Sequence, residues 1–430
     1  MRPSRRLIAL ALAAFAVSVI AVASGGGARD WAVVVWLTLG ALLAADLALS
    51  FRGRIGVEAS APSEVFIGET AELTIRTDRA EAGLEARIDW PFGLVGPADI
   101  RLEPDEGGAI GRLPLTARRR GVWPIQQLWL RWSSRLKLLE FTPRVTLDLT
   151  VSAVPNIRPV LSGTIDAKVR SALFGVKENF AKGEGSEFHQ LRDFTQGMDV
   201  RAIDWKRSAR HRQLVAKEMR AERNHHVIVA LDNGHLMREE IDGLPKIDHA
   251  VNAALAVAWA AAIGGDYVGL YAFDAKPRLF LPPEPGRRAF ARLRSRTAEL
   301  AYSSVETNHT LAMAALHART PRRSLIVIFS DFADTTTAEL LMENVAVLSR
   351  RHVVIFVALK DPLLETLAAS VPNSLDDVAQ AVTAGGMLRE RRLVLERLSR
   401  IGVLVLDVAS NAVTARLIST YLDLKAREVL

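Results

Sequence analysis

Beyond residue 225 short apolar runs alternate with longer helix-like ones, and no other feature of this chain restricts its fold as tightly. Val227–Leu231, Val268–Phe273, Leu325–Phe329, Val353–Leu359 and Val403–Leu406 read as strands. Between them Ile247–Ile263, Arg287–Leu300, Leu311–Ala318 and Ala338–Arg350 read as helices, as do a long region after Leu375 and a terminal segment. Strands that are apolar on both faces need cover on both faces, so this alternation predicts a doubly wound parallel sheet with helices on either side. Residues 225–430 are therefore expected to form an α/β domain.

At 430 residues the chain is long enough for two or three domains, since single cores stop growing near ~250–300 residues. Two apolar runs, 7–23 and 31–51, suit helices that contact membrane lipid; about 20 helical residues cross the ~30 Å hydrocarbon core. Asp46 lies near one end of the second run, where it could snorkel toward the interface. Arg2, Arg5 and Arg6 precede the first run and Arg52 and Arg54 follow the second. The positive-inside rule then gives a multi-pass membrane hairpin with the soluble body cytoplasmic. A second reading takes Arg5-Arg6, the first run and Ala21-Val22-Ala23 as a cleaved signal peptide, which leaves the body on the same side.

Residues 52–152 change period. Val145, Leu147, Leu149 and Val151 alternate with polar residues, and Leu128, Leu130 and Trp132 behave likewise, which predicts a small antiparallel β-sandwich-like domain. Residues 153–224 link it to the α/β domain. The chain has no cysteine, which excludes thiolate catalysis and cysteine-ligated zinc. Its formal charge of +7 is spread over 55 basic and 48 acidic residues, without the basic stripe that nucleic acid requires.

The segment 183–218 is dense in charge, glycine and aromatic residues. It holds Gly-Glu-Gly-Ser-Glu-Phe ending at Phe188, Leu191-Arg192, Arg201 and the run Ile203-Asp204-Trp205-Lys206-Arg207-Ser208-Ala209-Arg210, and closes on Lys217-Glu218. With Leu231-Asp232, Gly265-Asp266-Tyr267-Val268-Gly269 and Ser330-Asp331-Phe332, it resembles the signature of the domain-of-unknown-function 58 (DUF58) family, membrane-anchored proteins with a von Willebrand factor A-like domain. The same residues admit two roles. As a structural belt they lock the domains; as a docking surface, Trp205 among arginines is an interface hot spot.

The resemblance implies a divalent-ion site at the carboxyl ends of the strands, where such sheets collect ligands. Von Willebrand A-like domains hold the ion with an Asp-x-Ser-x-Ser loop, a Thr and a second Asp. Here Asp232, Thr310 and Asp331 match, but Gly234 and Leu236 replace the two hydroxyls. This predicts a degenerate site with weak magnesium binding, and His235 is a candidate substitute ligand. The resemblance also implies work beside a MoxR-type AAA+ ATPase, with other membrane proteins as partners, in assembly or maturation of clients. The competing class is a metal-dependent hydrolase using Asp232 and Asp331, although no catalytic constellation is readable from spacing.

Overall fold

The computed structural model describes the chain except residues 25–27, 51, 52, 54, 82, 164, 166–186, 196, 197, 199, 212, 221–223, 333, 334 and 428. It divides into two compact units, Met1–Pro155 and Asn156–Leu430.

The first unit begins with two helices, α1 (Arg5–Ser24) and α2 (Ala28–Ser50), each long and apolar enough to cross a membrane. Trp36 Nε1 on α2 donates to Ser18 Oγ on α1 at 3.1 Å. Ahead of α1, Arg2–Pro3 pairs antiparallel with Leu139–Phe141 of the β domain. Ser4 then accepts from the amide of Leu7 at the start of α1 and donates to the carbonyl of Lys137. Near the far end of α2, Asp46 is fully buried. It accepts from Ser134 Oγ at 2.5 Å, Leu136 N at 2.9 Å and Leu138 N at 3.3 Å. The snorkelling role expected of Asp46 is thus corrected, because a loop of the β domain meets this carboxylate directly. The start of α1 and the end of α2 meet the same turn, 134–138, as a hairpin requires.

The β domain forms two sheets. One is built on the long strand Gly121–Ser133, flanked by Arg144–Val154 and Glu85–Ile88. The other pairs Thr70–Thr77 with Gly108–Ala117 and Val57–Ser60. The period-two residues face inward: Leu128, Leu130, Trp132, Leu147 and Val151 belong to one buried cluster. The expectation of a purely antiparallel domain needs one correction, since Arg144–Val154 runs parallel to Glu64–Phe66.

In the second unit, β1 (Glu187–Asp193) and β2 (Val215–Arg220) form an antiparallel pair, with helix α3 (Trp205–His211) between them in sequence. Six strands follow: β3 (His226–Asp232), β4 (Tyr267–Phe273), β5 (Pro277–Pro285), β6 (Ser324–Phe329), β7 (Val353–Leu359) and β8 (Leu404–Val408). Their order is β5-β4-β3-β6-β7-β8. All pairs are parallel except β4–β5. The antiparallel edge departs from the all-parallel expectation. β5 carries Pro277, Pro282, Pro283 and Pro285, which an edge strand tolerates and a central one does not.

Helices α4 (Lys246–Ile263), α5 (Gly286–Ala298), α6 (His309–Arg319), α7 (Thr335–Ser349), α8 (Pro362–Ala369), α9 (Leu375–Arg400) and α10 (Val413–Ala426) complete the unit. The motif Gly265–Gly269 has a structural explanation in each polar or small residue. Gly265 follows α4 with φ +86°, which favours glycine. A Cβ on Gly269 would lie 2.9 Å from the Leu281 carbonyl oxygen of β5. Between them the fully buried Asp266 accepts from Tyr421 Oη at 2.5 Å and pairs with Lys425 Nζ at 2.9 Å, both on α10. Replacing Asp266 with Ala strands the Lys425 ammonium beside an apolar hole. The variant is expected to lose roughly 3 kcal/mol of stability, measurable as a fall in the melting temperature of the purified protein.

Candidate functional site

The sheet order reverses at β3, so the switch point lies between β3 and β6, the position where ligands enter doubly wound sheets. Asp232 ends β3 and Asp331 directly follows the β6 segment and Ser330. Both carboxylates are therefore delivered to the crevice, and both are buried.

Asp232 accepts from hydroxyls and an amide, and His309 Nε2 lies 3.4 Å from its Oδ2. Its Oδ1 accepts from Thr307 Oγ1 at 2.6 Å and from Gly234 N at 2.9 Å, and its Oδ2 accepts from Ser330 Oγ at 2.5 Å. His309 Nε2 lies 3.0 Å from Ser330 Oγ. Gly234, which stands where the resembled loop has a hydroxyl, is needed for a steric reason: a Cβ there would sit 1.9 Å from Thr307 Oγ1. The hydroxyl absent from position 234 is thus supplied by Thr307 from another loop.

Thr310, the expected ligand, is exposed and accepts from Asn344 Nδ2 at 3.1 Å. Asn308 explains the difference. Its side chain caps α6 by accepting from Leu311 N, which puts Thr310 inside the first helical turn and Thr307 ahead of it. His235 is exposed on a single turn after β3, and Leu236 is half-buried beside it.

Asp331 is held by cations. Lys246 Nζ lies 2.7 Å from Oδ2, Arg391 Nη1 lies 2.8 Å from Oδ1, and the Phe332 amide donates to Oδ1 at 3.0 Å. Lys246 also pairs with Glu239 Oε2 at 2.5 Å, and Arg391 with Asp407 Oδ1 at 3.3 Å. Burial by itself raises the Asp331 carboxyl, but Lys246 and then Arg391 outweigh it and hold the pKa below the ordinary carboxylate range. Burial likewise opposes the Lys246 charge, yet Asp331 and Glu239 hold its pKa above the usual lysine value.

Sequence reasoning missed Lys246, although the chain carries a marker for it. Asp242 and Gly243 both have positive φ, +52° and +78°. Asp-Gly in that geometry makes a two-residue hairpin, here joining Glu240–Ile241 to Leu244–Pro245. One step beyond the ladder, Glu239 and Lys246 face each other, and the Lys246 amide donates to the Glu239 carbonyl at 2.8 Å. Nothing comparable marks Arg391, which reaches Asp331 from the middle of α9.

The residues present do not fit a divalent ion. The oxygens of Asp232 are engaged by two hydroxyls and an amide, those of Asp331 by two cations and an amide. Among the described residues no group of three or more His, Asp or Glu side chains is arranged to hold a metal. Ser330, His309 and Asp232 lie together, all three buried, and Ser330 donates to Asp232.

In the signature segment, Asp204 accepts from Arg207 N at 3.1 Å at the start of α3 and pairs with Lys217 Nζ at 3.5 Å. The Arg207 amide, ahead of Lys217, holds its carboxyl below the ordinary range. Ser208 is buried, donating to the Val215 carbonyl and accepting from the Val215 amide of β2. Trp205 is 65% exposed, and Lys206, Arg207 and Arg210 are exposed with it. The side chains of Phe188, Arg192, Arg201 and Glu218 lie outside the described residues.

The pKa directions fix a pH dependence. Asp331 is depressed on folding, so its contribution is present above the unfolded value, about 3.9, and is lost as pH falls through the folded value. Lys246 is raised, so its contribution holds below about 10.4 and is lost only as pH rises through the still higher folded value. Asp331→Asn is therefore expected to lower stability at pH 7 by about 3 kcal/mol, leaving two cations uncompensated. The variant's acid limb should also be shallower than wild type in melting temperatures recorded across pH 2–7.

Residues 190–390 match the family model described as "Protein of unknown function DUF58". Uncharacterized proteins of Mycobacterium bovis and Mycobacterium tuberculosis are 27% identical over 201 residues, covering 46% of this chain and 62% of theirs. The chain thus matches less than two thirds of their length. Among solved structures, the conserved hypothetical protein BatB from Bacteroides thetaiotaomicron aligns at TM-score 0.30 and 12% identity, over 46% of this chain and 99% of that one. The mussel byssus proximal thread matrix protein 1, with a zinc-occupied MIDAS motif, aligns at 0.30 and 10%, over 47% and 46%. An uncharacterized membrane-spanning protein from Vibrio fischeri aligns at 0.18 and 15%, over 46% and 98%. These scores are too low to carry fold or chemistry from those proteins to this chain. The likeness rests on the sequence itself: residues 190–390 match the DUF58 family model, a family described as of unknown function.

Proposed function

We propose that the chain is a membrane-tethered protein-interaction module with a von Willebrand A-like α/β domain. In this reading it works with a MoxR-type AAA+ ATPase in the assembly or maturation of client proteins. The observation that carries it is the exposed Trp205, ringed by Lys206, Arg207 and Arg210 on a helix whose other residues fix it to β2. An aromatic anchor with adjacent arginines on a rigid support has the composition of an interface hot spot. The strand reversal with carboxylates on both sides of the switch point supports the von Willebrand A-like reading. Burial of Asp232 and Asp331 weighs against the metal-dependent hydrolase, which needs one of them free to activate water.

The two apolar helices form the tether. Arginines before α1 and after α2 orient the hairpin with residues 52–430 in the cytoplasm of a bacterial cell. The strand pairing of Arg2–Pro3 supports retention of α1 in the working protein. A reporter fused after Leu430 is expected to be active only if cytoplasmic; periplasmic exposure of that terminus refutes the orientation.

For the interface, Trp205→Ala in the full-length, detergent-solubilised protein is expected to shift stability by less than about 1 kcal/mol, as befits an exposed site. It should weaken co-purification of the AAA+ ATPase by about 2 kcal/mol, near 30-fold. A large loss of melting temperature, or unchanged recovery of the ATPase, refutes the docking role.

A further inference from the structure

Lys246 occupies a place that ordinary helix energetics disfavours. It is the first residue of α4, and the preceding Pro245 offers no side-chain cap. A helix N-terminus carries a partial positive charge, so a cation there is repelled, and a side chain only 5% exposed has lost nearly all its hydration. Both costs are offset by Asp331 and Glu239, whose oxygens stand 2.7 and 2.5 Å from the ammonium. The Asp242-Gly243 hairpin builds in the second of these contacts by setting Glu239 opposite Lys246. The position of Lys246 is therefore set by the carboxylates at the strand ends.

We propose that Lys246 is a tethered cation that takes the place of the divalent ion at this switch-point site, so that the domain works without metal and binds one only when the ammonium is removed. The proposal rests on the von Willebrand A-like reading solely for where an ion would otherwise sit. A divalent cation demands carboxylate oxygens at about 2.0–2.6 Å. The Asp331 oxygens already face Lys246 and Arg391, and a third cation among them would meet repulsion from both. An ion that a partner's carboxylate could bridge is thereby replaced by an ammonium that is itself enclosed, so recognition at this crevice has to use other chemistry. Removing the ammonium leaves Glu239 and Asp331 facing one another across the emptied space, a pair of hard oxygen donors suited to magnesium or manganese.

The test is titration of the full-length protein in detergent with manganese, followed by paramagnetic resonance, alongside melting temperatures with and without magnesium. Wild type is expected to show no saturable binding up to about 1 mM and no shift with magnesium. Lys246→Ala and the longer, neutral Lys246→Gln are each expected to bind one manganese at least about tenfold more tightly than wild type. Both should gain melting temperature with magnesium and lose both effects when Asp331→Asn is added. Should the neutral variants fold only with ion present, refolding in millimolar manganese supports the proposal and failure to refold there overturns it. Saturable wild-type binding that Asp331→Asn abolishes overturns it, as does a folded Lys246 variant that gains no ion. Recovery of the AAA+ ATPase by wild type reads the interaction module separately, so either idea can fail without the other.

Discussion

A carboxylate carried out of water at the end of a parallel strand has to be met by compensating charge or donors, and the α/β unit is organised around meeting that demand at Asp331. An isolated buried charge costs several kcal/mol, so the fold brings Lys246 from the start of α4 and Arg391 from the middle of α9 to the same side chain. Arg391 extends the network to Asp407 on β8 and to the carbonyl of Leu359 on β7. Three strands and two helices are thereby registered by one carboxylate. Asp232, on the other side of the switch point, meets the same demand with hydroxyls and an amide, which is why it draws Thr307 and Ser330 inward. The two sides of the crevice are thus closed by different groups, Lys246 and Arg391 at Asp331, and hydroxyls, an amide and the nearby His309 imidazole at Asp232.

The same rule operates in the first unit, with a different consequence. Asp46 lies near the end of α2 and is satisfied by the Ser134 hydroxyl and two amides of a turn in the β domain. Within the turn 134–138 the Ser134 and Lys137 amides bond to Leu139 and Ser134 carbonyls, while those of Leu136 and Leu138 are directed at Asp46. The pair of apolar helices is consequently part of the β domain's hydrogen-bonded structure at both of its ends, Arg2–Pro3 through strand pairing and Asp46 through its carboxylate.

Most of the fold was legible in the sequence, because binary pattern determines which faces are buried. The apolar runs at Val227–Leu231, Val268–Phe273, Leu325–Phe329 and Val353–Leu359 each lie within a buried strand, and Leu128, Leu130 and Leu147 sit inside the β domain as their period requires. What pattern missed was governed by other physics. β5 was hidden by prolines that only an edge can carry, and α8 by its brevity. At the site, the Asp positions were readable because strand ends are. The identity of the threonine was not, since family spacing pointed to Thr310 while a helix cap at Asn308 moved the useful hydroxyl to Thr307. Lys246 was obscured because charge compensation is a tertiary contact, visible in sequence only through the hairpin turn that creates half of it.

The signature segment shows how one motif divides between fold and surface. A belt that locked structure together would bury its tryptophan, since an indole is the largest apolar area available. Here the inward positions are instead Ile203, just ahead of α3, and Ser208 within it, with Asp204 capping the helix. Each has a bond that explains it: Ile203 bridges to Ala216, Ser208 meets both polar groups of Val215, and Asp204 meets Lys217. Trp205, Lys206 and Arg210 face solvent. These internal contacts therefore account for the short helix without its aromatic or basic residues.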